Sequence, residues 1–155
     1  LWGCTADAYH ATAPHPNGQG ALAAMKAALE DAGLAPSEVD YVNAHGTATP
    51  ANDRAESTAL EGFFGHGESA PWVSSTKGYT GHTLGAAGAL EAAFCVLALG
   101  HDFLPVTAGL GDPDPELRVR HVPPDGLARS VRVALSNSFG FGGNNAALVL
   151  TRAER

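Results

Sequence analysis

Charge is the first thing this sequence is short of. Only 16% of its 155 residues are Asp, Glu, Lys or Arg, against about 25% in ordinary soluble domains. The basic sign is the scarcer, 9 residues against 16 acidic ones, and the net charge is −7. Nucleic-acid binding rests on phosphate neutralisation by Lys and Arg, so that class of partner is excluded. Cysteine is nearly absent: Cys4 and Cys95 alone make no disulfide framework, and a reduced, cytoplasmic setting is the expectation. No His-x-x-His or Cys-x-x-Cys spacing occurs, so no metal site is expected. No signal peptide is read. The long apolar run over residues 82–99 is interrupted by Gly, His and Glu91, and no membrane span is expected from it.

Glycine and proline, at 19 and 10 residues, are abundant instead. Few charges and many glycines suggest that part of the outside is covered by something else. The length suits one domain, burying roughly 70% of the surface its unfolded chain exposes. The chain opens at Leu1, with Leu-Trp-Gly-Cys reading as a strand already under way. The expectation is a piece of a longer polypeptide.

The organising stretch is residues 73–100. A short strand over 73–76 delivers Lys77, and a tight turn passes Gly78 and Gly81. A helix is expected from near His82 to Leu99, apolar on every side and therefore buried. Glu91 sits inside that apolar body and needs a partner; Lys77 is the obvious one. Upstream, residues 20–32 carry apolar side chains at helical spacing, with Gly33 as the stop. A strand over 39–44 leads into His45-Gly-Thr-Ala-Thr-Pro50, and Pro50 opens a helix over 51–64 with Asp53 and Glu56 in its first turns. Residues 105–115 read as irregular. Strands are expected near 118–122, 131–136 and 146–150, the last two joined by a glycine-rich turn, Phe139-Gly-Phe-Gly-Gly143. Helices alternating with strands and followed by strands argue for an α/β domain with a mixed sheet.

Three loops follow the carboxyl ends of expected strands: the one holding His45, the one from Lys77 to His82, and Asn137 to Asn144. Sites in open α/β sheets form there. A histidine at a helix amino end is held neutral by the dipole, and two neutral imidazoles aimed at one oxygen make an oxyanion hole. Taken singly, each histidine reads equally as a core or loop residue; His10 and His15 read as loop residues. Thr47 and Thr49 either cap the following helix or bind an amide-bearing ligand. The glycine turn is either a bulged hairpin or an anion cradle with Phe141 lining an apolar pocket.

Val42-Asn-Ala-His-Gly-Thr-Ala-Thr-Pro50, Ser74-Ser-Thr-Lys-Gly-Tyr-Thr-Gly-His-Thr-Leu-Gly-Ala-Ala-Gly88 and Ser136-Asn-Ser-Phe-Gly-Phe-Gly-Gly-Asn144 together resemble β-ketoacyl-acyl-carrier-protein synthases, as does Thr5-Ala-Asp-Ala-Tyr-His10. The resemblance covers nearly the whole chain, residues 1–155, as the carboxy-terminal half of such an enzyme from the type II fatty-acid or polyketide branch. It implies a thiolase-like fold, α/β, of which this chain is the carboxy-terminal half, a mixed sheet with a buried central helix. It makes His45 and His82 the histidine pair that stabilises the enolate left when malonyl carrier protein loses carbon dioxide. Lys77, with Glu91 and Asp53, would order the site. Thr47 and Thr49 would hold the phosphopantetheine arm, and Phe141, with Gly140 and the supporting Phe139, would form the gating loop whose N–H groups hold the thioester oxyanion. No resident cofactor is implied, since phosphopantetheine arrives on the acyl carrier protein. The implied partners are that carrier, the missing amino-terminal half, and a second subunit in a homodimer or a ketosynthase/chain-length-factor heterodimer.

The nucleophilic cysteine of the family belongs to the half not present, and neither Cys4 nor Cys95 replaces it. Cys4 has no following helix to lower its pKa, and Cys95 lies deep in the apolar helix. Asn144-Asn145 departs from the Thr-Asn common in fatty-acid enzymes, which points towards a polyketide or polyene branch. Two rival readings are a non-catalytic subunit like the chain-length factors and a plain binding module. Arg118, Arg120, Arg129 and Arg132 are a candidate basic patch for the acidic carrier, though ordinary solvated charges read the same way.

Overall fold

The computed structural model describes residues 1–153. Alternation along the strands separates two cores. Six strands form one sheet in the order β1-β8-β7-β2-β3-β5: β1 (Trp2–Ala6), β2 (Tyr41–Asn43), β3 (Trp72–Ser74), β5 (Arg120–His121), β7 (Val133–Gly140) and β8 (Asn144–Thr151). β2 pairs in parallel with β3 and β7, whereas β8 runs antiparallel to both β1 and β7. The mixed sheet expected from the sequence is present. Val42, Leu135, Ala147 and Val149 pack with α1 (Gln19–Ala32) and α2 (Pro50–Phe64) on one side. Tyr41 and Ala134 pack on the other side with Cys95, Ala98 and Leu99 of α4 (Ala87–His101). Since successive strand residues face opposite ways, this is a helix–sheet–helix sandwich. A separate two-stranded ribbon joins β4 (Phe103–Leu104) to β6 (Leu127–Ala128); strands of two residues leave no pattern to read.

The helix α1 fits its expected span, and Gly33 ends it in the left-handed region (φ 65°). Its N–H donates to the Glu30 carbonyl at 3.1 Å and that of Leu34 to the Leu29 carbonyl at 3.0 Å, the double bond of a glycine-ended helix. β1 lies against α1 so closely that a Cβ on Gly3 would stand 2.3 Å from the Ala24 carbonyl oxygen. Backbone cannot step aside as a side chain can. Gly3→Ala is therefore expected to cost about 1–3 kcal/mol, read as a lower denaturant midpoint with unchanged slope.

Two expectations about the central helix are corrected. It does not start at His82. Lys77–Thr80 is a single helical turn, α3, which Gly81 breaks at φ 68°, and a 3-10 turn over Leu84–Ala86 precedes α4. Nor is α4 buried all round. Ala87, Glu91, Cys95, Ala98 and Leu99 make one buried face, while Leu90, Val96 and Leu97 are 40%, 55% and 52% exposed. The apolarity is real, but half of it faces outward in this chain. By length and composition the segment Leu84–His101 could cross a membrane. Its buried Glu91, ion-paired to Lys77, is what a core helix carries and a lipid-facing one avoids.

The other boundaries differ by a few residues. β2 and β3 are shorter than expected, β5 keeps only Arg120–His121, and β7 runs on to Gly140, so the glycine turn shrinks to Phe141–Gly143. The irregular stretch over residues 105–115 holds no helix or strand.

Candidate active site

His45 leaves the end of β2 and is held by its own backbone. Its N–H donates to Glu56 Oε1 and that of Gly46 to Oε2, both at 2.9 Å. Asn137 Nδ2, from the middle of β7, adds a third bond to Oε1 at 3.1 Å. Glu56 is 3% exposed, and burial pushes its pKa up against the pull of these donors and of Lys77. On the sequence Glu56 is marked only by its place in the first turns of α2; the fold makes it the carboxylate under the histidine loop. Among the described residues Asp53 makes no hydrogen bond to Lys77 or Glu91, the residues it was expected to join. It is half-buried and accepts from Asn52 Nδ2 at 3.1 Å, the same amide that stands 3.5 Å from Glu56 Oε2.

Lys77 is buried and ion-paired to Glu91, itself 2% exposed. The pairing read from the sequence is present. Lys77 Nζ also stands 3.4 Å from His45 Nδ1. An ammonium can only donate, so this Nδ1 accepts and the ring proton sits on Nε2. Burial first, then the charges of Lys77 and His82, lower the His45 pKa to about 3, so the ring is neutral through the ordinary range.

His82 reaches a similar tautomer by another route. Leu84 takes a left-handed backbone (φ 52°), and its N–H donates to His82 Nδ1 at 3.2 Å, again leaving the proton on Nε2. The helix amino end invoked from the sequence is five residues further on; one backbone N–H stands in its place. The two imidazole rings lie 5.5 Å apart between centroids, at 84°. Phe139 packs on His45 at 5.4 Å. Two Nε2–H donors on adjoining rings can stabilise negative charge on one oxygen.

The glycine turn is built for φ values that side chains resist: Gly142 and Gly143 sit at 79° and 74°. Phe141 at its tip is 78% exposed. Residues 7–15 brace the turn. Asp7 N–H donates to the Gly143 carbonyl at 2.8 Å and Gly142 N–H to Ala11 at 2.7 Å. Asn145 Nδ2 bonds Asp7 Oδ1 at 2.8 Å and the Gly143 carbonyl at 3.0 Å. The Thr5–His10 stretch was legible as a motif, yet nothing in it singled out Asp7.

Thr47 and Thr49 share one hydrogen bond, 2.9 Å between hydroxyls. Thr49 occupies the N-cap position of α2 without a side-chain capping bond, so capping does not account for either. His10 and His15 each accept local backbone N–H groups through Nδ1, as loop residues do. Cys95 is fully buried and its thiol is pushed up to about 12 by burial, which leaves it inert. Cys4 is exposed on β1. Among the described residues no group of three His, Cys, Asp or Glu side chains could hold a metal ion. Of the four arginines in the candidate patch, Arg120 is committed to packing: it lies 3.9 Å over Trp72 and bonds the Glu68 carbonyl at 2.6 Å. Arg118, Arg129 and Arg132 are exposed.

A buried Lys77–Glu91 pair, two neighbouring histidines and a glycine turn thus gather beyond the carboxyl ends of the strands β2, β3 and β7. Residues 2–111 match the family "Beta-ketoacyl synthase, C-terminal domain", and the chain belongs to that family. A 3-oxoacyl-[acyl-carrier-protein] synthase 2 from Synechocystis sp. is 50% identical over 148 residues, covering 96% of this chain and 36% of that protein. The corresponding Coxiella burnetii enzyme is 48% identical over 97% of this chain. Among solved structures, the ishigamide ketosynthase/chain length factor superposes with a TM-score of 0.93 at 39% identity, over 99% of this chain and 37% of that one. The Xenorhabdus doucetiae ketosynthase ApeO, in complex with its chain length factor ApeC, gives 0.90 at 44% identity, over 98% of this chain and 38% of that one. The chain thus spans little more than a third of the length of these relatives.

Proposed function

We propose that this chain is the histidine-bearing half of a ketosynthase that joins an acyl thioester to malonyl carrier protein by decarboxylative Claisen condensation. The observation that carries the reading is the pair of neighbouring imidazoles, each with Nδ1 occupied as an acceptor. The carbon–carbon bond to the malonyl carboxylate breaks and carbon dioxide leaves. Its electron pair goes to an enolate, whose oxygen takes both Nε2–H donors. The enolate carbon then attacks the acyl group on a cysteine of the other half, and the thiolate departs. No strong base is needed, which suits a ring with a pKa near 3. Phe141 and Gly140 supply the gating loop, Phe139 supports His45, and the hydroxyls of Thr47 and Thr49 meet the pantetheine amides.

The acyl carrier protein brings the phosphopantetheine, so no resident cofactor is required. The protein works in the cytoplasm with the amino-terminal half and within a homodimer or a ketosynthase/chain-length-factor heterodimer. Retention of His45, His82 and Lys77 together favours catalysis over an accessory subunit. The exposed aliphatic face of α4 fits coverage by the missing half rather than an autonomous binding module.

The test is carbon dioxide release and ketone formation from malonyl and acyl carrier proteins. The 155-residue chain alone is expected to do neither, and the chain joined to its cysteine-bearing half to do both. Unaided condensation by the isolated chain, or glutamine in place of cysteine at the other half's nucleophile position, would overturn the proposal.

A further inference from the structure

One buried hydroxyl ties the histidine loop to the lysine loop. Ser75, just beyond β3, is 6% exposed. Its Oγ donates to the Gly46 carbonyl at 2.9 Å and accepts the Lys77 N–H at 3.4 Å. The two loops meet as tightly as glycine permits: Gly46 has φ 42°, and a Cβ on it would stand 2.5 Å from Ser75 Cβ. Ser75 is itself fixed from behind. Its backbone N–H donates to Thr107 Oγ1 at 3.0 Å, and the next residue, Ala108, lies so close to Gly78 that a Cβ there would meet its carbonyl oxygen at 2.3 Å. The irregular stretch after β4 therefore buttresses the turn that begins α3.

Resting on the condensation reading above, we propose that Ser75, held by Thr107, is the positioning residue that sets the His45 ring against Lys77. Neither side chain is assigned a contact with substrate. Ser75 acts through the backbone on both sides of the 3.4 Å contact between Lys77 Nζ and His45 Nδ1. Removing its hydroxyl releases Gly46 and Lys77 together, and the His45 Nε2–H loses its aim. Misplacement by about 1 Å in such a site costs up to about a hundredfold in rate.

The experiment uses the ketosynthase formed by this chain with its nucleophile-bearing half, and compares Ser75→Ala, Thr107→Val, Thr107→Ser and His45→Ala. Decarboxylation of malonyl carrier protein, acyl loading of the nucleophile and thermal midpoint are measured for each. Ser75→Ala and Thr107→Val are expected to lower kcat for decarboxylation by about tenfold to a hundredfold, with KM and acyl loading close to wild type. Thr107→Ser, which keeps the hydroxyl, is expected to restore the rate. Decarboxylation by Ser75→Ala within about twofold of wild type, Thr107→Ser as slow as Thr107→Val, or a parallel loss of acyl loading overturns the inference. If Ser75→Ala does not fold, the two Thr107 variants decide. His45→Ala separates the levels: full activity there sinks the condensation reading itself, whereas a slow His45→Ala beside a normal Ser75→Ala sinks only the positioning role.

Discussion

Alanine at His45 or at His82 is expected to lower malonyl decarboxylation by about a hundredfold to a thousandfold, the loss that follows removal of one oxyanion donor. The double variant falls short of the product of the two, because donors that share one oxygen act as a unit. Acyl loading of the cysteine, measured by mass spectrometry on the intact ketosynthase, stays near wild type, since the enolate has no part in that step. Both single variants decarboxylating within a few fold of wild type would remove the basis for the histidine assignment. The acid side carries a signed expectation too. His45 has an ordinary pKa of 6.5 and a folded one of about 3, so the unfolded chain takes up a proton that the folded one refuses. The stability from keeping this ring neutral is complete above pH 6.5 and is lost as pH falls from there towards about 3.

The second large effect belongs to Glu91. Replacing it with alanine leaves the Lys77 ammonium at 8% exposure with its carboxylate gone and, among the described residues, only His45 Nδ1 at hydrogen-bond distance. Breaking a buried pair from one side costs about 3–5 kcal/mol, so Glu91→Ala is expected to lower the chemical denaturation free energy by that amount. It also frees the group that fixes the His45 tautomer, so activity falls further than stability explains. Exchanging both partners for apolar residues, Lys77→Met with Glu91→Leu, recovers much of the stability and none of the activity. A Glu91→Ala protein within about 1 kcal/mol of wild type would mean the pair is screened by solvent.

The Lys77–Glu91 pair was legible because an acidic residue in an apolar helix demands a partner and the sequence offers one lysine nearby. The order of helices and strands implied the mixed sheet, and Gly33 marked a helix end, because layer architecture and the left-handed helix stop both follow from general backbone rules. The start of α4 was missed because Ala, Gly and Leu carry no boundary signal of their own, and the break depends on the φ values of Gly81 and Leu84. Glu56 was hidden for a different reason. On the sequence it is one more acid early in a helix, and only the tertiary approach of β2 and β7 puts two backbone N–H groups and an amide on it. Ser75 and Asp7 are of the same kind: small polar residues whose importance lies in what the fold brings to them. The openness of α4 was concealed by composition, since an apolar helix reads alike whether this chain or another covers it.

That outward face has a thermodynamic consequence. The same helix that presents Glu91 to the lysine shows bare aliphatic side chains on its far side, so any partner that covers them also steadies the ion pair. Docking and the readiness of the imidazoles then draw on one shared equilibrium. In a ketosynthase supplied as two separate polypeptides, activity per molecule would climb with protein concentration and fade on dilution, long before any strand of the sheet came apart.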